Sequence, residues 1–190
     1  MMNLSALKID PEFQGKIPPL NAEEEHILEQ NMIQERRLLN PIIIWNGYIL
    51  DGHSRYRILK HHPEIAFEVK EIQLTDRYAA LAWICQNQLG RRNLDPERRK
   101  FLMGKAYENE KLSVGAPVGN QNKVNQCGQN VHIDLHKRTC ERIAERNGVN
   151  SKFVQRAEKY AKGVDAAEAA VPGAMEEILT GHIKATDAEI

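Results

Sequence analysis

The sequence is short of cysteine, of aromatic residues and of net charge. Three cysteines stand in 190 residues: Cys85, Cys127 and Cys140. They are odd in number, widely spaced and without a CxxC pair, which argues against a disulfide framework and a conventional zinc site. A reducing cytoplasm fits this usage. No stretch approaches the roughly 20 consecutive apolar residues that a membrane span needs. The first residues, MMNLSALKID, lack the charged n-region and long apolar h-region of a secretory signal. Lys plus Arg number 26 and so do Asp plus Glu, which argues against a uniformly basic nucleic-acid coat. Enough Leu, Ile and Val is present to bury a core, and the length suits one domain or two small ones.

The charge is unevenly placed. Lys137 to Lys162 holds eight Lys/Arg against three Glu, whereas Gly163 to Ile190 holds one Lys against six Asp/Glu. A basic segment is followed by an acidic one.

Residues 1–20 hold three prolines and read as irregular. Asn21-Ala-Glu-Glu24 has the form of a capping box, opening a helix to about Arg36. Pro41 to Trp45 reads as a buried strand. Asn46-Gly47 is a two-residue hairpin signal, since both residues tolerate positive φ. Tyr48 to Leu50 is the return strand, followed by a helix from about Gly52 to Lys60. Phe67 to Ile72 alternates as a strand does. Asp76 to Leu89 is helical in pattern, and Asp95-Pro96 opens a further helix to about Lys111. Residues 113–130, rich in Gly, Asn and Gln, read as a flexible linker. Helical pattern resumes over 135–161. No internal repeat is visible. Thr186 is a candidate N-cap for a last helix, so the C-terminal domain reads as truncated or as ending in a very short helix.

Two places carry chemistry. In the basic segment, a helix should end at Gly148 and a second begin after Asn150 or Ser151. Small Ala144, Gly148 four residues on, and aliphatic Val154 six beyond match the spacing of a helix-turn-helix. Its second helix would present Ser151, Lys152, Gln155, Arg156 and Lys159 to DNA, Arg suiting guanine, Gln adenine, and Lys phosphate. The plain alternative is a helical hairpin that packs against something else.

The other place is ILDGHSRYRIL, residues 49–59, where a strand runs into a helix. Gly52 permits a tight turn, and the first amides of the helix are unpaired beside a positive dipole end. His53 and Ser54 can donate and Arg55 can clamp a phosphate. Arg57 could join from an adjacent face or be an ordinary surface residue. Structural arginines would give the same pattern. A second cluster, Asn87-Gln88-Leu-Gly-Arg91-Arg92, closes one helix and could meet the same ligand if the two turns adjoin.

Three boxes in order carry a resemblance. Leu38-Leu-Asn40-Pro-Ile-Ile-Ile44, Gly52-His-Ser-Arg-Tyr-Arg-Ile58 and Asn87-Gln-Leu-Gly-Arg91-Arg-Asn-Leu-Asp-Pro96 resemble the "GLLQPIVV", "GERRWRA" and "ENLQRxxLNP" stretches of the ParB partition proteins, whose N-terminal domain is related in fold to sulfiredoxin. A linker and helix-turn-helix follow in the same order, so the resemblance spans about residues 20–160. It implies an α+β chain: a small ParB/sulfiredoxin-like α/β domain over 1–111, a linker over 112–134, and an all-helical helix-turn-helix domain over 135–190. It implies CTP with magnesium as a nucleotide switch, with Gly52, His53, Ser54, Arg55 and Arg91 at the phosphates and Asn40 near the base. Arg57, Gln88 and Arg92 complete the candidate set. Partners implied are double-stranded DNA, a second copy of the chain, and a ParA-like ATPase, in a cytoplasmic protein associated with nucleoid or plasmid.

Departures from the family pattern bear on chemistry. The family's Glu-Asn pair is Asn87-Gln88 here, and a neutral amide is no general base and a poor ligand for a hard cation. The first box has His53 for Glu and Ser54 for Arg. Binding is therefore expected more readily than turnover, and no catalytic residue is assigned, although Asp51 or Glu68 could stand in as a base. None of residues 51–57 is Cys, which sets sulfiredoxin chemistry aside. The alternative is an enzyme on the same fold: a nucleoside triphosphatase, a nuclease or a small-molecule kinase. Cys127, His132, His136 and Cys140 have ligand-like spacing but straddle the linker, and no metal site is assigned. Trp45 and Trp83 read as core, and His61-His62 as surface.

Overall fold

The computed structural model of the chain describes residues 4–91, 94–114 and 137–183. It divides into two compact units, Met1–Leu74 and Thr75–Ile190.

The first unit begins with a 3-10 turn, Leu4–Ala6, and a short helix α1, Pro11–Gly15. Residues 1–20 are thus less irregular than their prolines suggested. Asp10 caps α1 by accepting from the amides of Glu12 (2.9 Å) and Phe13 (3.3 Å), and Pro11 fills the first helical position, where no amide proton is needed. Helix α2, Ala22–Glu35, opens on the expected capping box: Asn21 Oδ1 accepts from the Glu24 amide at 2.8 Å and Glu24 Oε2 from the Asn21 amide at 3.0 Å.

A three-stranded sheet follows, in the order β2-β1-β3. Strands β1 (Ile42–Trp45) and β2 (Tyr48–Asp51) are antiparallel across Asn46-Gly47, whose φ values of 49° and 79° are the positive pair such a hairpin requires. Helix α3, His53–His61, crosses over so that β3, Val69–Glu71, returns parallel to β1. The β1–β2 register slips once: Ile44 faces Ile49 and Ile43 faces Asp51, leaving Leu50 as the extra residue of a bulge. A strict alternation would bury only one of Ile49 and Leu50; both are fully buried. The bulge also re-aims Asp51 at the point where the strand gives way to α3. Ile42, Ile44, Ile49, Tyr56, Ile58, Leu59 and Ile65 form the core of this unit.

The second unit is helical. Helix α4 (Arg77–Leu89) is capped by Asp76, which accepts from the Ala79 amide at 2.8 Å. Helix α5 (Pro96–Val114) begins at the expected proline. Helices α6 (Thr139–Asn147), α7 (Ser151–Ala170) and α8 (Ala174–Leu179) complete it. Their core joins Cys85, Leu89, Phe101, Leu102, Met103, Cys140, Ile143, Val154, Tyr160, Val164 and Leu179. Residues 1–111 were read as one domain from the sequence. Helix α4, however, packs chiefly on α5, and its Cys85 and Leu89, with Phe101, Leu102 and Met103 of α5, share one apolar cluster with α6, α7 and α8.

Helix α7 runs nine residues past the expected end at 161, and α8 was not expected. Gly163 is buried inside α7. The linker read over 112–134 overlaps the last turn of α5; its remaining residues, with Cys127, His132, His136 and the Thr186 cap, lie outside the described residues. Trp45 and Trp83 are half-buried rather than core. The Trp45 indole packs near Phe13 and donates to the Leu74 carbonyl at 3.1 Å.

Candidate functional site

The strand-to-helix turn at Gly52 has the geometry its sequence requires. Gly52 lies at φ 102°, the left-handed region open to glycine. A Cβ there would come within 3.0 Å of Arg55 Nη2 and 3.2 Å of Nε, so the guanidinium lies across the glycine. The first helical bond of α3 runs from the Tyr56 amide to the Gly52 carbonyl at 2.8 Å, and no side chain caps the helix. The amides of His53, Ser54 and Arg55 therefore have no partner within the helix.

Arg55 is held by Asp51, Nη2 to Oδ2 at 2.8 Å, while its Nε is buried with no hydrogen-bond partner. His53 is only 6% exposed, and neither ring nitrogen has a partner. Burial pushes its pKa below the ordinary histidine value; Asp51 pulls upward and Arg57 pushes further down. Ser54 is half-buried. Arg57 is paired at 2.9 Å with Glu25 of α2, on the exposed side. Asn40 is exposed, just ahead of β1. Sequence reasoning missed Asp51 and Glu25 as partners of these arginines. The four-residue spacing of Asp51 and Arg55 was the available signal.

The second box belongs to the other unit. Gln88 is fully buried near the end of α4, and both of its side-chain polar atoms lack a partner. Its carbonyl accepts from the Arg91 amide at 2.9 Å. Asn87 and Arg91 are exposed, and Arg92 lies outside the described residues. Among the described residues no group of three or more His, Cys, Asp or Glu is arranged to hold a metal ion.

Helices α6 and α7 are joined as their residues suggested. Gly148 closes α6 at φ 66°, with its own amide and that of Val149 satisfying the last carbonyls. Asn150 caps α7 by accepting from the Lys152 amide at 2.8 Å. Val154, Ala157, Tyr160 and Ala161 are buried, while Lys152, Gln155, Arg156 and Lys159 are exposed and Ser151 is half-buried. Among the described residues none forms an ion pair with Lys152, Arg156 or Lys159. Gln155 Nε2 lies 3.8 Å from Cys140 Sγ. Phe153, in the first turn of α7, is 39% exposed, an aromatic that sequence reasoning passed over.

A small mixed sheet with an uncapped Gly52 helix start, followed by a helical unit, defines a fold of the ParB N-domain type. Solved structures share it, among them these three. One crystal form of a pNOB8-like ParB N-domain has a TM-score of 0.59 at 18% identity, covering 98% of this chain and 75% of that one. A second pNOB8-like ParB N-domain gives 0.52 at 21% identity, over 84% and 62%. The C-terminally truncated chromosome-partitioning protein ParB from Caulobacter crescentus, complexed to the centromeric parS site, gives 0.51 at 16% identity, over 98% and 94%. The α+β class and the ParB-like fold read from the three sequence boxes hold. No family model and no curated protein matches the chain. Among the described residues, no helix is long and apolar enough to cross a membrane.

Proposed function

We propose that the chain is a ParB-like, sequence-specific DNA-binding protein of plasmid, phage or mobile-element partition or regulation. The observation that carries this reading is the two-sided character of α7. One face is spent on the core through Val154, Ala157 and Tyr160; the other offers Lys152, Gln155, Arg156 and Lys159 with no ion-pair partner among the described residues. A helix so placed after a tight turn suits the major groove, its first residues at base edges and its lysines at phosphates. The Caulobacter neighbour's complex with parS supports the same partner. A two-fold pair of chains would match palindromic half-sites. Association with a ParA-like ATPase belongs to the same reading.

A nucleotide of CTP type, with magnesium, would bind at the Gly52 turn. The residues there fit phosphate: unpaired amides, a guanidinium and a glycine that admits close approach. Magnesium would be held chiefly by the phosphates, as hard cations at such sites often are. Asn87, an exposed amide, supplies no base, so binding without turnover is the expected behaviour.

Selection of bound duplexes from a randomised library tests the central reading. A defined, enriched motif whose affinity falls steeply with salt supports it. Recovery of an unenriched pool at every salt concentration overturns it.

A further inference from the structure

We infer that His53 is the proton-linked ligand of a polyphosphate anion at the start of α3, binding the anion and taking up a proton together. This rests on the nucleotide reading of the Gly52 turn and adds to it how that turn is regulated.

The carrying observation is a histidine that is buried and bonded to nothing. His53 is 6% exposed, and both Nδ1 and Nε2 lack a partner. Buried polar side-chain atoms in folded proteins nearly always have one, so a doubly orphaned imidazole points to a group that arrives later. Three further donors without a partner inside the helix share its turn. The amides of His53, Ser54 and Arg55 precede the first helical bond, and no side chain caps them. Arg55 Nε is likewise buried without a partner. All are donors or can become donors, and none is an obligatory acceptor. The complement is therefore an anion with several oxygens.

The protonation state follows from the chemistry of the ring. A neutral imidazole presents one donor and one acceptor; an imidazolium presents two donors. Beside an anion the second form is favoured, because opposite charge stabilises the charged state. Without the anion, burial keeps the ring neutral at pH 7. The charged groups that act on it are Asp51 from β2 and Arg57 from α3, of opposite effect. Arg55, bound to Asp51 at 2.8 Å, partly offsets the carboxylate. The anion thus opposes the burial that keeps the free ring neutral.

The sign is definite. The free ring has a pKa below the usual histidine value and the bound ring a higher one. Between the two, each bound anion brings up to one proton, and affinity rises up to about tenfold for each unit fall in pH. Outside that window His53 contributes no pH dependence.

The test is an NMR titration of the His53 ring nitrogens in the whole protein, alone and with saturating inorganic tripolyphosphate or CTP. The backbone amides of residues 54–56 report occupancy separately. The expected result is amide shifts with either ligand and a ring pKa raised by about one unit or more. A larger rise with CTP identifies the nucleotide as the source; an equal one identifies polyphosphate alone. Amide shifts with an unmoved ring pKa would overturn the proton linkage and leave the nucleotide reading standing. No amide shift with either ligand would overturn both. H53Q supplies a second readout: it should bind without the additional pH dependence, and the ligand's own titration cancels in the comparison with wild type. Identical pH dependence in H53Q and wild type would also refute the inference.

Discussion

The backbone of Ala157 leaves no room for a side chain at Gly104. A Cβ at position 104 would fall 2.1 Å from the Ala157 carbonyl oxygen and 2.8 Å from the Ala161 Cβ. Helices α5 and α7 touch here backbone to backbone, and the contact depends on the missing methyl.

Gly104→Ala therefore sets two effects against each other. Alanine is favoured over glycine inside a helix by roughly 1 kcal/mol. Forcing a methyl into a closed contact costs about 1–3 kcal/mol, and a clash with backbone lies at the upper end because nothing flexible can yield. Net destabilisation of about 1–2 kcal/mol is expected. Chemical denaturation of wild type and G104A measures it; equal or greater stability in the mutant would mean the helices part freely.

His62 joins two segments of the first unit. Its Nε2 lies 2.9 Å from Glu29 on α2 and its Nδ1 3.2 Å from Glu64. Both carboxylates need a donor, which only the imidazolium provides at both nitrogens. The Glu29 hydrogen bond is the largest cause holding the pKa above 6.5, with Glu64 adding to it. Since the folded value is raised, the stabilisation is full below the unfolded pKa near 6.5 and is lost as pH rises through the folded value. E29Q should lower the NMR-measured pKa of His62. It should also lower stability at pH 6 more than at pH 8; equal losses at both would contradict the imidazolium bridge.

Arg142 and Glu110 tie α6 to α5 at 2.9 Å, with side chains 14% and 18% exposed. Removing one partner strands a largely buried charge, which in full burial costs roughly 3–5 kcal/mol. Residual exposure places E110A at or below the lower end of that range. The double mutant E110A/R142M should recover part of the loss, because no charge is then stranded. A double mutant no more stable than E110A, by denaturant midpoint, would show that the pair itself carries the contact.

The α7 face separates two kinds of contact. Arg156→Ala should relax sequence preference, at about 1–3 kcal/mol for one base pair if Arg156 reads a guanine. Lys152→Ala should weaken all duplexes alike and lower the slope of log affinity against log salt by about one. Fluorescence anisotropy over a salt series distinguishes them. An R156A protein that discriminates duplexes as wild type does would remove Arg156 from base reading.

What was legible in the sequence was local. The Asn21 capping box, the Asn46-Gly47 hairpin and the Asn150 cap depend on neighbours within four residues and stand where expected; Asp76, read only as the start of a helical pattern, caps its helix. The Asp10-Pro11 start of α1 uses the same chemistry as Asp95-Pro96, but was obscured by counting prolines. Distant packing was not legible. Nothing near Gly163 announces that α7 continues because that residue is buried, and nothing in α4 or α5 names the helices they pack on. At the candidate site, the residue types at the Gly52 turn were readable. The Asp51–Arg55 pair was signalled by its four-residue spacing, whereas the unbonded state of the buried His53 ring and the bulge at Leu50 show only in the folded chain.

The shared core of α4 to α7 has a practical side. A fragment cut after Lys111, where composition invites the cut, would carry Phe101, Leu102 and Met103 without their partners on α6, α7 and α8. Such a fragment should aggregate on expression, since a freshly bared apolar face seeks another. A cut between Leu74 and Thr75 instead keeps each of the two compact units whole.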